Sequence, residues 1–256
     1  MAHPALEIKN LNAWYDDHTH VLKGIDLTVM PGQVIGLLGD NGSGRTTTLR
    51  SLLGLTGTRT GSVKVNGVES IHMPPQKIAH LGISYGPDEH TLAEDLSCEE
   101  NLLKPMQATE TLGGGMSLAG IYELMPLLRH FRHHPAAHLS TPERQLLAVA
   151  KVLRQGTNIL LLDEISDSIT PNIAHILSHA ISTLKTQGYT IVMADHQPGA
   201  AAQVTDYFHV IKNGQLLNSF SPASAWDELE TPPAPPQAAP PMPPQPSCSP
   251  APDSSR

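Results

Sequence analysis

The stretch that decides the fold is "LLGDNGSGRTTTLR", which runs from Leu37 to Arg50. It matches the phosphate-binding loop pattern G-x-x-x-x-G-K-[ST], except that Arg45 stands in place of the lysine. An apolar segment of strand character, "VIGLLG", precedes the loop, and a segment of helical character, "TTTLRSLLGL", follows it. Because strand, loop and helix in this order are the setting in which the pattern binds phosphate, we prefer a phosphate site to a chance glycine-rich turn.

The loop combines several ways of attracting an anion. Its glycines let backbone N–H groups approach phosphate oxygens closely, and the following helix directs the positive end of its dipole at the same point. Arg45 keeps the positive charge of the missing lysine and favours bidentate contact with phosphate, although its guanidinium is bulkier. Thr46 offers a hydroxyl to Mg²⁺, and Thr47 offers another to phosphate. The loop residues predicted to bind the nucleotide are Gly39, Asn41, Gly42, Ser43, Gly44, Arg45, Thr46 and Thr47.

Two further apolar segments end in residues suited to phosphate chemistry. "NILLLDE" ends in Asp163 and Glu164, in the arrangement called Walker B. Asp163 is placed to hold Mg²⁺ through water, and Glu164 to polarise the attacking water as a general base. "YTIVMADH" ends at His196, which could reach the γ-phosphate from the sheet edge. The alternative is that Asp163 and Glu164 are two solvated acids and that His196 is an ordinary histidine at the end of a strand. The presence of the phosphate loop in the same sequence argues against this alternative.

The remaining segments indicate an α/β fold. Near-continuous apolar runs such as "NILLLDEI" and "YTIVMADH" are typical of parallel strands covered on both faces. Asn-Gly pairs at Asn66–Gly67 and Asn213–Gly214 predict two β-hairpins, one near each end. The region from about residue 89 to 153 has mostly helical periodicity. We therefore predict an α/β core with antiparallel β additions and a helical insert, within a domain spanning residues 1–230.

A proline-rich segment follows this domain. Residues 231–256 read "TPPAPPQAAPPMPPQPSCSPAPDSSR" and contain almost no apolar side chains that could form a core. Proline removes backbone donors and favours extended polyproline II conformations. We expect a disordered tail, and a docking role for its P-x-x-P matches is the alternative.

Composition restricts the classes of function. The formal net charge of −8 argues against nucleic acid as a partner, because binders of nucleic acid carry a basic stripe. We find no apolar run near the length of about 18 residues that a membrane span requires, and no secretory signal. Cys98 and Cys248 are too few and too far apart for a disulfide framework or a zinc site. We therefore expect a reduced, cytoplasmic protein.

These motifs together resemble the ATP-binding subunits of ABC transporters, and specifically those of branched-chain amino acid importers. The stretches that carry the resemblance lie in the family's order between about residues 6 and 220. They are "LNAWYDDHTHVLKGIDLTV", "GDNGSGRTTTLRSLLGLTG", "LGISYGPDEHTLAEDLSCEENLL", "LSTPERQLLAVAKVL", "LLLDEISDSITP" and "YTIVMADH". The resemblance implies an ABC nucleotide-binding domain, with a RecA-like core, an antiparallel β subdomain and a helical subdomain.

The resemblance also implies roles for single residues and for partners. Tyr15 would stack on adenine, with Trp14 as the alternative, and Glu164 and His196 would be the catalytic carboxylate and the switch histidine. Asp88 stands where the family has a glutamine that touches Mg²⁺. The cofactors would be ATP and Mg²⁺. The partners would be a second ABC ATP-binding subunit and transmembrane permease subunits, at the cytoplasmic face of the inner (plasma) membrane, where the chain would be peripheral.

The chain departs from the family most seriously at "LSTPE", which occupies the place of the Leu-Ser-Gly-Gly signature. Two subunits of this family enclose two ATP molecules, each held between one subunit's phosphate loop and the other's signature. Ser140 remains as a hydroxyl donor, but Thr141 and Pro142 replace the glycines, and proline has no N–H to donate. A different polypeptide with an intact signature would complete one functional ATP site with the phosphate loop of this chain. We therefore expect a hetero-dimer.

Two classes of function follow from these observations. The first is an ATP-hydrolysing subunit that powers amino-acid import. The alternative is a pseudo-ATPase that binds nucleotide and assembles a complex without hydrolysis. Glu164 and His196 favour the first, because a protein without catalysis has no physical need of either. A soluble ABC protein unrelated to transport would usually carry two such domains in one chain.

Overall fold

The computed structural model describes residues 3–15, 19–86, 91–104, 115–166, 169–199 and 202–222. Asp88, Cys248 and the proline-rich segment at 231–256 lie outside the described residues, as does part of the predicted helical insert, residues 105–114.

Ten strands and seven helices make up the part of the chain that the structure describes. The strands are β1 (Leu6–Trp14), β2 (His20–Val29), β3 (Val34–Leu38), β4 (Arg59–Val65), β5 (Val68–Glu69), β6 (Ile83–Gly86), β7 (Ile159–Asp163), β8 (Thr190–Asp195), β9 (Tyr207–Lys212) and β10 (Gln215–Phe220). The helices are α1 (Arg45–Leu52), α2 (Pro75–Ala79), α3 (Cys98–Leu103), α4 (Leu118–Leu124), α5 (Pro126–His130), α6 (Thr141–Leu153) and α7 (Pro171–Thr186).

The main sheet has six strands in the order β10-β9-β3-β8-β7-β6. Strands β9, β3, β8, β7 and β6 run parallel, and β10 runs antiparallel to β9. Every residue of β8 is buried, and so are all but the last of β7. This burial confirms the prediction that these apolar runs are parallel strands covered on both faces. Because β3, β8 and β7 are neighbours, the segments that follow them meet at one edge of the sheet.

Two apolar cores lie on opposite faces of the main sheet. Leu160 and Leu162 of β7 belong to the core that includes α6 and α7, whereas Leu161 belongs to the core that includes α1 and β1. The alternation follows from the two-residue period of side chains along a strand. Each strand of the site is therefore fixed from both faces.

The smaller sheet is antiparallel, with the order β2-β1-β4-β5. Both predicted Asn-Gly hairpins are present. Asn66 and Gly67 join β4 to β5 with φ values of 48° and 80°, and Asn213 and Gly214 join β9 to β10 with φ values of 52° and 78°. Positive φ at both central residues is what a type I′ hairpin turn requires.

The helical part of the chain also agrees with the prediction. Helices α3, α4, α5 and α6 fall between Cys98 and Leu153, and the short α2 was not predicted. Burial of Cys98 in this region raises the pKa of its thiol to about 11. Within the described ranges, we find no helix that combines the length and the apolar character needed to cross a bilayer.

Candidate functional site

The phosphate loop joins the end of β3 to the start of α1. Gly42 and Gly44 have φ values of 76° and 112°, and Gly44 is the residue before the first turn of α1. A side chain at Gly39 would collide with the carbonyl oxygen of Ile211, so glycine is required there by close packing. The turn of the β9–β10 hairpin supports the loop from the same side, because the Gly214 N–H donates to the Ser43 carbonyl at 2.8 Å.

A cavity of about 250 Å³ opens over this loop. It gathers residues from the phosphate loop, from the end of β1, from β2 and from the segment after β7. Its lining comprises Tyr15, Val21, Asp40, Asn41, Gly42, Ser43, Gly44, Arg45, Thr46, Thr47 and Glu164.

Beside the cavity, hydroxyl groups hold Asp163 by both carboxylate oxygens. The Thr46 hydroxyl donates to Asp163 Oδ1 at 3.2 Å, and the Tyr85 hydroxyl donates to Asp163 Oδ2 at 2.8 Å. Burial, together with the charge of Asp163, raises the pKa of Tyr85 to about 12, so its hydroxyl stays protonated at neutral pH. Hydroxyl and carboxylate oxygens are hard donors of the kind that Mg²⁺ prefers. The donor set therefore fits the predicted metal.

Arg45 is buried and lies between the two predicted catalytic side chains. Its Nη2 is 3.3 Å from both ring nitrogens of His196 and 3.8 Å from Glu164 Oε1. Equal distances to both nitrogens indicate a contact with the ring rather than a directed hydrogen bond. Arg45 Nη1 has no hydrogen-bond partner among the described residues, and neither has the buried Ser43 hydroxyl. A buried donor of this kind is costly unless a ligand pairs with it, which points to an anion in the cavity.

Glu164 is held by its backbone, and its side chain remains half exposed. Its φ of 51° is in the left-handed region, which is strained for a non-glycine residue. Its N–H donates to the Ala194 carbonyl at 2.8 Å, and its own carbonyl accepts a hydrogen bond from Gln145 Nε2 at 2.8 Å. Glu164 is thus fixed from β8 on one side and from α6 on the other, while its carboxylate lines the cavity.

The two aromatic residues at the end of β1 differ in what they contact. The Trp14 ring stacks on His20, with ring centroids 4.3 Å apart. The Tyr15 hydroxyl lies 3.3 Å from Thr47 Oγ1, and Tyr15 lines the cavity. The ring of Tyr15 is therefore the one available to a base bound over the loop.

The signature segment begins α6. Ser140 precedes the helix, and its N–H and hydroxyl both donate to Glu143 Oε2, at 2.8 and 2.7 Å. Pro142 lies in the first turn, where its missing N–H is tolerated, so the predicted helix forms. The Ser140 hydroxyl is therefore engaged within its own helix. It does not line the cavity over the loop in the part of the chain that the structure describes.

The structure brings together most of the residues predicted for the site. The phosphate loop, Tyr15, Asp163, Glu164 and His196 meet at one sheet edge, whereas Ser140 lies elsewhere and Asp88 is outside the described residues. Sequence reasoning gave no role to four residues that contact this site, namely Val21, Asp40, Tyr85 and Gln145. All four lie within the quoted stretches, but no pattern in those stretches marks them as site residues.

Comparisons with known proteins agree with this geometry. The family model described as ABC transporter matches residues 22–167. The chain is 30% identical to a probable branched-chain amino acid transport ATP-binding protein LivF of Archaeoglobus fulgidus, over 82% of this chain and 89% of the relative. It is 32% identical to a Nod factor export ATP-binding protein I of Cupriavidus metallidurans, over 87% of this chain and 73% of the relative.

A solved structure supports the same fold. It is a nucleotide-free ATP-binding cassette from an ABC transporter, with a TM-score of 0.75, 21% identity, and coverage of 90% of this chain and 96% of that one. The family match spans more than half of the chain, and the fold is that of an ATP-binding cassette. The chain therefore belongs to the ABC transporter family, whose cassettes hydrolyse ATP, and is the ATP-binding subunit of a transporter.

Proposed function

We propose that this chain hydrolyses MgATP to power an importer of branched-chain amino acids. The observation that carries the proposal is that Arg45, in the cavity over the phosphate loop, contacts both Glu164 and His196. A protein that only binds the nucleotide would require the phosphate loop but neither Glu164 nor His196. An exposed carboxylate, a histidine and a cation beside the expected γ-phosphate are what hydrolysis requires.

Each site residue has a role in this proposal. The glycines of the loop, with Asn41, Ser43 and Thr47, bind the phosphates through backbone and side-chain donors. Thr46, Asp163 and Asp88 hold Mg²⁺, which when bound neutralises charge that develops on the phosphates. Tyr15 stacks on the adenine.

Three side chains act on the reacting phosphate. Glu164 accepts a proton from the attacking water, His196 contacts the γ-phosphate, and the unpartnered Nη1 of Arg45 donates to phosphate oxygen. Arg45 contacts both His196 and Glu164 in the described site, so the three side chains lie close enough to act on one phosphate.

The signature of this chain serves the partner's nucleotide in our proposal. Pro142 lacks an N–H, and the Ser140 hydroxyl donates to Glu143, so this segment offers little to a γ-phosphate. A different polypeptide with an intact glycine signature would complete the site at Arg45. We therefore propose a hetero-dimer that docks peripherally on permease subunits at the cytoplasmic face of the inner membrane.

The two relatives are named for transport of different solutes, and the proposal favours one of these. The relative named for branched-chain amino acid transport matches over most of its own length, and the quoted motifs resemble that group. The relative named for Nod factor export has a similar identity but is longer than the match. An export role is the alternative.

Uptake into vesicles tests the proposal. The chain is reconstituted with its permease subunits and second ATP-binding subunit, and uptake of leucine, isoleucine and valine is measured against that of ribose. We expect ATP-dependent uptake of the three amino acids that is lost with Glu164→Gln. Transport of none of them by an assembly that hydrolyses ATP would contradict the assigned solute, and equal uptake with Glu164→Gln would contradict the assigned catalysis.

A further inference from the structure

Tyr85 contacts Asp163 beside the candidate site, and no role was assigned to it from the sequence. It is the third residue of β6, which pairs in parallel with β7 at the edge of the main sheet. Its ring packs against the core on the α1 side of the sheet. Its hydroxyl makes the shorter of the two hydrogen bonds to Asp163.

The strand register explains why a tyrosine is needed to reach Asp163. Tyr85 is paired with Leu161, and Asp163 lies two residues further along β7 on the same face. Two residues of strand cover about 7 Å, which a tyrosine hydroxyl can span and a serine or threonine hydroxyl cannot. The phenol ring fills the intervening space, and its hydroxyl reaches the carboxylate.

The chemistry of the two groups fixes the direction of this hydrogen bond. A carboxylate accepts hydrogen bonds and does not donate them, so the single phenol proton of Tyr85 points to Asp163 Oδ2.

We propose that Tyr85 is a positioning residue that holds Asp163 Oδ2, so that Asp163 Oδ1 stays directed at the Mg²⁺ position beside Thr46. The inference rests on the proposed function, in which Thr46 and Asp163 hold that ion. The Thr46 bond to Oδ1 is long, at 3.2 Å, whereas the Tyr85 bond to Oδ2 is 2.8 Å. The Thr46 oxygen would keep a lone pair for the metal while its proton points to Asp163, and the shorter Tyr85 bond would do most to keep the carboxylate from rotating.

The chain contains a matched control. Tyr122 donates its hydroxyl to Glu99 Oε2 at 2.7 Å, in the helical region and away from the cavity lining. Tyr122→Phe removes the same chemical group from the same kind of pair. Tyr85→Leu supplies a second variant at the site, because leucine keeps an apolar side chain against the core and also lacks the hydroxyl.

The experiment is a calorimetric titration of the full chain with ADP, with and without Mg²⁺, so that the gain in affinity caused by the metal is measured directly. Loss of a hydrogen bond to a metal ligand typically lowers metal affinity tenfold or more. We therefore expect Tyr85→Phe to reduce the Mg²⁺-dependent increase in ADP affinity about tenfold. Tyr85→Leu should reduce it in the same direction, and Tyr122→Phe should leave it unchanged.

Each outcome has a separate meaning. An unchanged metal gain in Tyr85→Phe, with a melting temperature near that of wild type, overturns the positioning role alone. If Tyr85→Phe does not fold, an unchanged gain in Tyr85→Leu overturns it. A wild-type chain whose ADP affinity does not respond to Mg²⁺ overturns the proposed metal site together with this inference.

Discussion

At the scale of single residues, Arg45 differs from what its place in the motif suggests. The sequence predicts a phosphate ligand, whereas the structure also pairs Nη2 with His196 and Glu164 and leaves Nη1 without a partner among the described residues. The forked guanidinium explains the difference, because one arm can contact protein groups while the other remains for the ligand. A lysine has its three donors on one nitrogen and so could not contact groups that lie as far apart.

Substitution of Arg45 tests this division. Arg45→Ala should weaken nucleotide binding about tenfold to hundredfold, the worth of a hydrogen bond to a charged group. Arg45→Lys keeps the charge and should bind within a few fold of wild type. Calorimetric titration with MgADP measures both. Affinity in Arg45→Ala equal to that of wild type would show that Arg45 serves only its protein neighbours.

At the scale of elements, strands and hairpins were predictable because they depend on local signals. The apolar runs of β7 and β8 and the two Asn-Gly turns each lie within a few residues of sequence. The contacts of the site were less predictable. Tyr85 meets Asp163 only through the register of β6 against β7, and Gln145 meets Glu164 only through the docking of α6. Such contacts join distant segments, and periodicity does not encode them.

The two Asn-Gly hairpins provide a test in which the β4–β5 turn serves as the control for the β9–β10 turn. Gly67 and Gly214 have nearly equal φ values, but a side chain at Gly67 meets nothing within 4 Å, whereas one at Gly214 would collide with the Val21 carbonyl oxygen. Gly67→Ala should therefore cost about 1–2 kcal/mol of stability, the penalty for the left-handed conformation alone.

Gly214→Ala should cost more than about 3 kcal/mol, because the backbone of β2 must also shift. It should also weaken nucleotide binding, since the Gly214 N–H supports Ser43 of the phosphate loop. Urea denaturation and MgADP titration measure the two effects. Equal losses of stability in both variants would contradict the packing of the β9–β10 turn on the loop.

At the scale of the whole molecule, we propose that residues 1–230 form the ATP-binding domain and that the proline-rich segment at 231–256 contributes no core. Removing residues 231–256 should leave the melting temperature and the MgADP affinity unchanged, because that segment has few apolar side chains to bury. Thermal unfolding of the full and shortened chains checks this. A clear fall in melting temperature on truncation would mean that the segment packs on the domain.

The central claim also belongs to this scale: we propose that the chain has a working catalytic half-site and a defective signature. In a homodimer "LSTPE" would cover both nucleotides, so the isolated chain should hydrolyse ATP slowly or not at all. Replacing Thr141 and Pro142 together by glycine restores a backbone donor and removes crowding. One donor of this kind is worth about 3 kcal/mol, or about a hundredfold in rate.

The most direct test is phosphate release by the isolated wild type, by the Thr141→Gly and Pro142→Gly double variant, and by that variant with Glu164→Gln. We predict slow release by wild type, a gain of about a hundredfold in the double variant, and loss of that gain with Glu164→Gln. Fast release by the isolated wild type would contradict the assigned defect in the signature. A double variant that stays inert, together with a wild type that stays inert beside a partner with an intact signature, would contradict the catalytic half-site and support a subunit that binds ATP without hydrolysing it.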